Sequence, residues 1–280
     1  MMYNNENALT EARTFTIPLV EDTTGDFNSD DLNEDFDGLQ LSFQRVKIPS
    51  GGGVQFEIPG DNPDDPDTTK TIEGVIVFNH AACAYWADGD DYSDNMPPSC
   101  SSVDGKTGIG NPGGACEVCE FNRYGTGTDA KGNPTKGKAC KNMRNLYILR
   151  NGEYMPILLS LPPTSLRAFN DFVSVVFDTR RKPTYSSVIQ IGLKKVDSGP
   201  KPYSVATFRK LFDFEGEQLM QAKRYATSFR EQIRTSLHQQ AISNIQRSEP
   251  DELLDADSRY VTTGNGDQFE VIDGERDILP

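Results

Sequence analysis

Between residues 87 and 141 the chain is rich in Gly, Pro, Ser, Asp and Asn and shows neither helical nor strand periodicity. A stretch of that length is ordered only if something other than apolar burial orders it. Four cysteines stand inside it, Cys100, Cys116, Cys119 and Cys140, spaced C-x15-C-x2-C-x20-C. A CxxC pair offers two thiolates to one ion from a tight turn, and the flanking cysteines can close a tetrahedron. The spacing predicts a structural Zn2+ held by these four thiolates, in a module over 97–141. Structural zinc contributes on the order of 10 kcal/mol or more to folding. Four sulfurs leave no open coordination position, so such a site braces and does not catalyse. An iron–sulfur cluster accepts the same four ligands.

The chain has 280 residues, enough for one large domain or two small ones. With 36% hydrophobic residues and a mean hydropathy of −0.56, its core is modest. No apolar run approaches a membrane span, and MMYNNENALTEAR has no apolar leader core. These features place the protein in the cytoplasm, with no membrane partner. There, clustered cysteines point to metal more than to disulfides. The fifth cysteine, Cys83, sits in an apolar strand-like run and reads as a buried small residue. His80 and Cys83 are alternative ligands by residue type, but their odd separation puts them on opposite faces of a strand.

The net charge of −14 hides a partition. Residues 1–40 and 41–120 each carry −9, residues 121–248 carry +12, and residues 249–280 carry −8. A basic middle between acidic ends suggests a polyanionic partner. The organisation expected is an acidic flexible segment (1–38), a β-rich core (39–248) and an acidic tail (249–280).

Alternation in LQLSFQRVKIP and VQFEIP predicts a hairpin over 39–58, followed by a loop at 60–70. TFTIPLV (14–20) can pair as a strand. GVIVFNHAACAYW (74–86) is the strongest core strand. Asn151-Gly152 between apolar runs predicts a hairpin. A helix then follows Pro162-Pro163, capped by Thr164 or Ser165, with Leu166, Phe169, Phe172, Val173 and Val176 on one face. SSVIQIGLKKV and YSVATFRKLFDF form another strand pair. A long helix at 217–245 buries Leu219, Ala222, Ala226, Phe229, Ile233, Leu237 and Ala241. Its other face carries Lys223, Arg224, Arg230 and Arg234. From Glu249 the chain reads as weakly structured. The fold class expected is α+β.

Arg123, Lys131, Lys136, Lys138, Lys141 and Arg144 are interleaved with Phe121 and Tyr124 among glycines. Cations neutralise phosphates and rings stack on bases, which is what a single-strand nucleic-acid surface needs. Tyr85, Trp86 and Tyr92 are further stacking candidates. Arg180, Arg181, Lys182, Lys194, Lys195 and Lys201 add positive charge.

Several motifs carry a resemblance. They are the strand ending in Tyr85-Trp86, PPSCSS with Asp104-Gly105, GGACEVC, GKAC, LPPTS before a helix, and the acidic tail closing on Ile278-Leu279-Pro280. From Gly74 to about Arg234 the chain resembles phage-encoded DNA-binding proteins with a four-cysteine insertion. It is similar in parts to T4-type single-stranded-DNA-binding proteins, whose zinc site uses a histidine with three cysteines. The resemblance implies an OB-like barrel and single-stranded DNA binding in phage replication or recombination, in the host cytoplasm. It also implies that the tail modulates DNA binding or docks replication or recombination proteins. Here the tail ends Ile-Leu-Pro where the family has Pro-Phe.

No GxxxxGK[ST], HExxH, GxSxG or GxGxxG on a strand–helix unit is present, and only two histidines exist, His80 and His238. The expectation is a protein that is not an enzyme. Two alternatives stay open. One is a zinc-stabilised protein–protein module or DNA-mimic inhibitor acting through its acidic ends. The other is a metal-dependent nuclease using Asp88, Asp90, Asp91 and Asp94.

Overall fold

The strands of the core read as continuous apolar runs because helices or extended chain cover both faces of the sheet. In the computed structural model of the protein, residues 14–18, 43–46, 48–49, 51–58, 60, 62, 65–87, 98–128, 132–197, 202–248, 260–262 and 268–270 are described, with side chains as far as 235. The short strands are β1 (Arg45–Val46), β2 (Phe56–Ile58) and β3 (Asp67–Thr69). β4 (Thr71–Tyr85) is the spine, and β5 (Cys100–Ser102), β6 (Thr107–Gly110) and β7 (Gly114–Ala115) follow. β8 (Lys141–Leu149), β9 (Ile157–Leu161) and helix α1 (Pro163–Val176) come next. β10 (Ser187–Val196), β11 (Tyr203–Asp213) and helix α2 (Gly216–Ser248) complete the core elements. Among the described residues nine strands join one sheet, in the order β1-β9-β8-β4-β5-β6-β7, with β10 pairing both β4 and β11.

β8 shows how two faces are served by one run. Leu146 and Ile148 point to one side, with Ile76, Leu159, Phe169 and Phe177. Tyr147 and Leu149 point to the other, with Phe15, Ala226, Phe229 and Ile233. α1 covers the first face and α2 the second. The mixed α+β, β-rich core with a long C-terminal helix is therefore present. No helix among the described residues is long and apolar enough to cross a membrane. The chain divides into units Met1–Leu237 and His238–Pro280.

Several expectations are corrected. The hairpin expected over 39–58 is not formed among the described residues: β1 pairs in parallel with β9, and β2 pairs with β3, which lies inside the expected loop. Alternation marks a strand but not its partner. Phe15 and Ile17 are buried without joining a ladder; Phe15 packs on Phe214. Neither Thr164 nor Ser165 caps α1. Pro162 stands at the cap and Pro163 in the first turn, where a missing N–H costs nothing. Ser165 is instead fully buried, and its Oγ accepts from the backbone N–H of Ala206 on β11 at 3.0 Å. In α2, Tyr225 joins the buried face and donates its hydroxyl to the Tyr154 carbonyl at 2.6 Å. Leu237 and Ala241 lie on α2 with their side chains outside the described residues, and the expected flexible segment 1–38 is outside them except for 14–18. Within the acidic C-terminal segment, β12 (Tyr260–Thr262) and β13 (Gln268–Glu270) pair antiparallel; the rest of it lies outside.

One ionic knot closes the β10–β11 pair. Asp213 accepts from Lys182 Nζ (2.8 Å), Lys210 Nζ (2.9 Å) and Ser187 Oγ (2.6 Å). These bonds outweigh its partial desolvation and hold its carboxyl well below the usual range. A depressed carboxylate stabilises the fold above its unfolded pKa, near 4, and the contribution is lost as pH falls below it. Asp213→Asn is expected to cost on the order of 1–2 kcal/mol at pH 7. The difference from wild type should shrink as pH falls from 5 to 3. Urea midpoints at several pH values check this; a pH-independent difference would contradict it.

Candidate metal pocket and nucleic-acid interface

The cysteine module hangs from the C-terminal end of β4. Tyr85 of β4 lies opposite Cys100 of β5, and Cys100 lies opposite Gly110 of β6. Cys116 follows β7, with its N–H bonded to the Lys106 carbonyl at 2.7 Å. Cys119 precedes a single 3-10 turn at Glu120–Asn122, and Cys140 immediately precedes β8. The Cys140 N–H bonds back to the Phe121 carbonyl at 2.9 Å. Thus residues 40 apart in sequence line one pocket, whose walls include Cys100, Cys116, Cys119 and Cys140. Cys100, Cys116 and Cys140 are buried and Cys119 is half-buried; all are free thiols.

The pocket has a fifth thiol. Cys83, expected to be only a small buried residue, also lines it. His80 and Cys83 point to opposite faces of β4: His80 Nε2 lies 3.2 Å from the Tyr147 hydroxyl, on the α2 side. Yet the face opposite His80 is the one that looks into the pocket. The signal was available: Cys83 and Tyr85 share parity, and Tyr85 begins the segment that ends at Cys100.

Among the described residues, no three His, Cys, Asp or Glu side chains are already grouped as a metal site. The donor set nonetheless fits a thiophilic ion. Five cysteines are among the residues lining one pocket, and Gly108 keeps room there, because a Cβ at that position would lie 2.9 Å from Cys100 Sγ. Burial pushes the Cys100 and Cys116 thiols up. Cys140 is pulled down, chiefly by its neighbour Cys83 and also by Lys138 and Lys141; Cys83, whose Sγ donates to Asn142 Oδ1 at 3.6 Å, is pushed up by Cys140 and by burial. Asp104 shapes the approach loop, accepting from Ser102 Oγ, Lys106 N and Thr107 N at 2.7–2.9 Å.

Residues 120–139 form a knuckle over this pocket. Gly125 and Gly127 donate to the Gly137 carbonyl at 2.9 and 3.0 Å, and Thr126 Oγ1 accepts from Ala139 N–H. A polar relay leads outward from the cysteines. The Cys116 carbonyl accepts from Asn122 Nδ2 (2.8 Å), and Asn122 Oδ1 accepts from Lys138 Nζ (3.0 Å). Lys138 Nζ also stands 5.0 Å from the centre of the Tyr124 ring. Tyr124 is 81% exposed, and Arg123 beside it and Lys136 are exposed as well.

The remaining candidates do not gather at one surface. Tyr85 is stacked on Phe121 at 4.3 Å with 13° between planes, so one ring face is already covered. Trp86 is half-buried, as is Lys141. Arg144 turns to the α1 side, bonding Asn79 Oδ1 at 2.7 Å and lying over Phe169. Lys182 is engaged by Asp213, while Arg181 is exposed at a left-handed turn. Lys194 and Lys195 are exposed near the β10–β11 turn, with Lys195 paired to Asp197. Because Gly192 lies opposite Thr71, that turn sits beyond the start of β4. At about 3.3 Å per residue this is roughly 40 Å from Cys83. A shared positive surface with the knuckle, expected from sequence, is therefore not formed by these two lysines. Lys131, Lys201, Tyr92 and the four aspartates at 88–94 lie outside the described residues.

No family model, curated protein or solved structure matches this chain.

Proposed function

We propose that this protein binds single-stranded nucleic acid, foremost single-stranded DNA, through a knuckle braced by Zn2+ in the cysteine pocket. The observation that carries this reading is Tyr124. A ring that is 81% exposed and has an ammonium group held over it is costly as mere surface. As a stacking platform with an adjacent phosphate-neutralising cation, it has a use. Arg123 and Lys136 add two cations on the same knuckle, against the exposed carboxylates of Glu117 and Glu120. The thiolates would hold the ion, and the ion would supply the folding energy that this Gly-rich segment lacks.

The resemblance to phage single-stranded-DNA-binding proteins, a replication or recombination role in the host cytoplasm and modulation by the acidic tail belong to this proposal. So does an OB-like barrel: the observed pairings leave β1, β7 and β11 as ends, and none is joined to another among the described strands.

Tyr124→Ala is expected to weaken binding of a fluorescent oligo(dT) by about 5- to 150-fold, the range for one base–aromatic stack of 1–3 kcal/mol. Affinity should also fall steeply from 50 to 200 mM salt. Anisotropy titrations read both. Wild-type protein that fails to bind at 50 mM salt, even as residues 1–248, would sink the proposal.

A further inference from the structure

The site has one thiol more than a tetrahedral ion needs. We propose that Cys83 is a ligand in reserve, interchangeable with Cys119, so that the ion can release the knuckle without leaving the pocket. This rests on the zinc brace of the proposed function and names its regulation.

Three observations carry it. First, Cys83 and Cys119 both line the same pocket as Cys100, Cys116 and Cys140. Second, Cys83 Sγ donates to Asn142 Oδ1 of β8 at 3.6 Å, two residues beyond Cys140, so it stands beside the strand that Cys140 leads into. Third, their settings differ. Cys83 is 9% exposed on the long strand β4, between Ser102 of β5 and Asn142 of β8. Cys119 is half-buried at the start of the knuckle. The set Cys83, Cys100, Cys116 and Cys140 is thus wholly buried and fixed to the sheet. The set Cys100, Cys116, Cys119 and Cys140 includes the residue that joins the knuckle to the ion.

The exchange balances without any redox step. The metal–sulfur bond to Cys119 breaks and a bond to Cys83 forms. The proton of the Cys83 thiol passes through solvent to the departing Cys119 thiolate. Coordination number and charge at the metal are unchanged. Only the tether between the ion and residues 120–138 is lost, and with it the fixed position of Arg123 and Tyr124.

The test uses the full chain loaded with Co2+, whose thiolate charge-transfer absorption reports the number of sulfurs bound. Wild type, Cys83→Ser and Cys119→Ser should each take up one Co2+ per chain with equal intensity, that of four thiolates. The double variant should lose about a quarter of the intensity per ion. It should also bind at least about 100-fold more weakly, beyond the usual 10–100-fold cost of outer-shell changes. Cys119→Ser, though fully loaded, should be cut faster by protease within 120–138, and Cys83→Ser should not. A Cys119→Ser chain that gives a three-thiolate spectrum, or takes up no Co2+, overturns the inference while leaving the brace intact in wild type. Failure of the wild-type chain to bind Co2+ overturns both.

Discussion

The pair of substitutions Cys116→Ser and Cys140→Ser is expected to weaken zinc binding so far that a chelator strips the ion, and to free residues 98–140 while the sheet stays folded. Three thiols would remain, Cys83, Cys100 and Cys119, too few to close a tetrahedron of sulfur. On the order of 10 kcal/mol of binding energy is then lost from a segment that has little apolar burial to replace it. The loss is local for a topological reason. β5, β6 and β7 attach to the sheet through the last residues of β4, Cys83–Tyr85, whereas β4 pairs with β8 from Val75 onward and with β10 from Thr71 to Gly74. After dialysis against a chelator that leaves wild type with one zinc per chain, metal analysis of the variant should give none, and proteolysis should concentrate in 98–140. Far-UV circular dichroism should change little, and oligo(dT) affinity should fall at least about fivefold, the loss of the stacked ring alone being worth that much. One zinc retained per chain, or an unchanged proteolytic pattern, would contradict the account.

Leu159→Ala should act oppositely, on the fold and not on the module. Leu159 of β9 is fully buried opposite Leu146 of β8, in the cluster that α1 covers. Removing its side chain loses transfer free energy and leaves a cavity that the sheet and α1 cannot collapse into. The expected cost is about 2–5 kcal/mol, a large fraction of a typical 5–15 kcal/mol stability. Urea denaturation of the zinc-loaded protein measures it. A loss under about 1 kcal/mol would mean that the packing of α1 on β8 and β9 is not as described. Zinc content of the folded fraction should be unchanged.

That Cys100, Cys116, Cys119 and Cys140 come together in one pocket was legible from their spacing in a segment poor in apolar residues. Five core elements were legible from periodicity: β4, the β8–β9 hairpin, α1, the β10–β11 pair and α2. Partners were not. β1 alternates as any half-buried strand does, yet it pairs with β9, more than a hundred residues later. Ser165 has the chemistry of a helix cap, but burial against β11 gives its hydroxyl another partner.

What the sequence determined by itself was therefore local: which segments are strands or helices, and which segment has too little apolar content to pack as they do. Three things were decided only by the tertiary structure. Cys83 became a fifth pocket thiol because β4 and β5 pair at Cys83–Ser102. Arg144 turned inward because its strand parity faces α1. Lys194 and Lys195 were carried to the end of β4 opposite Cys83, about 40 Å of extended strand away. Charge and cysteine counts add along a chain without regard to direction, whereas a site needs side chains aimed at one point in space. That aim is set by strand register and parity, which arise only when distant segments pair.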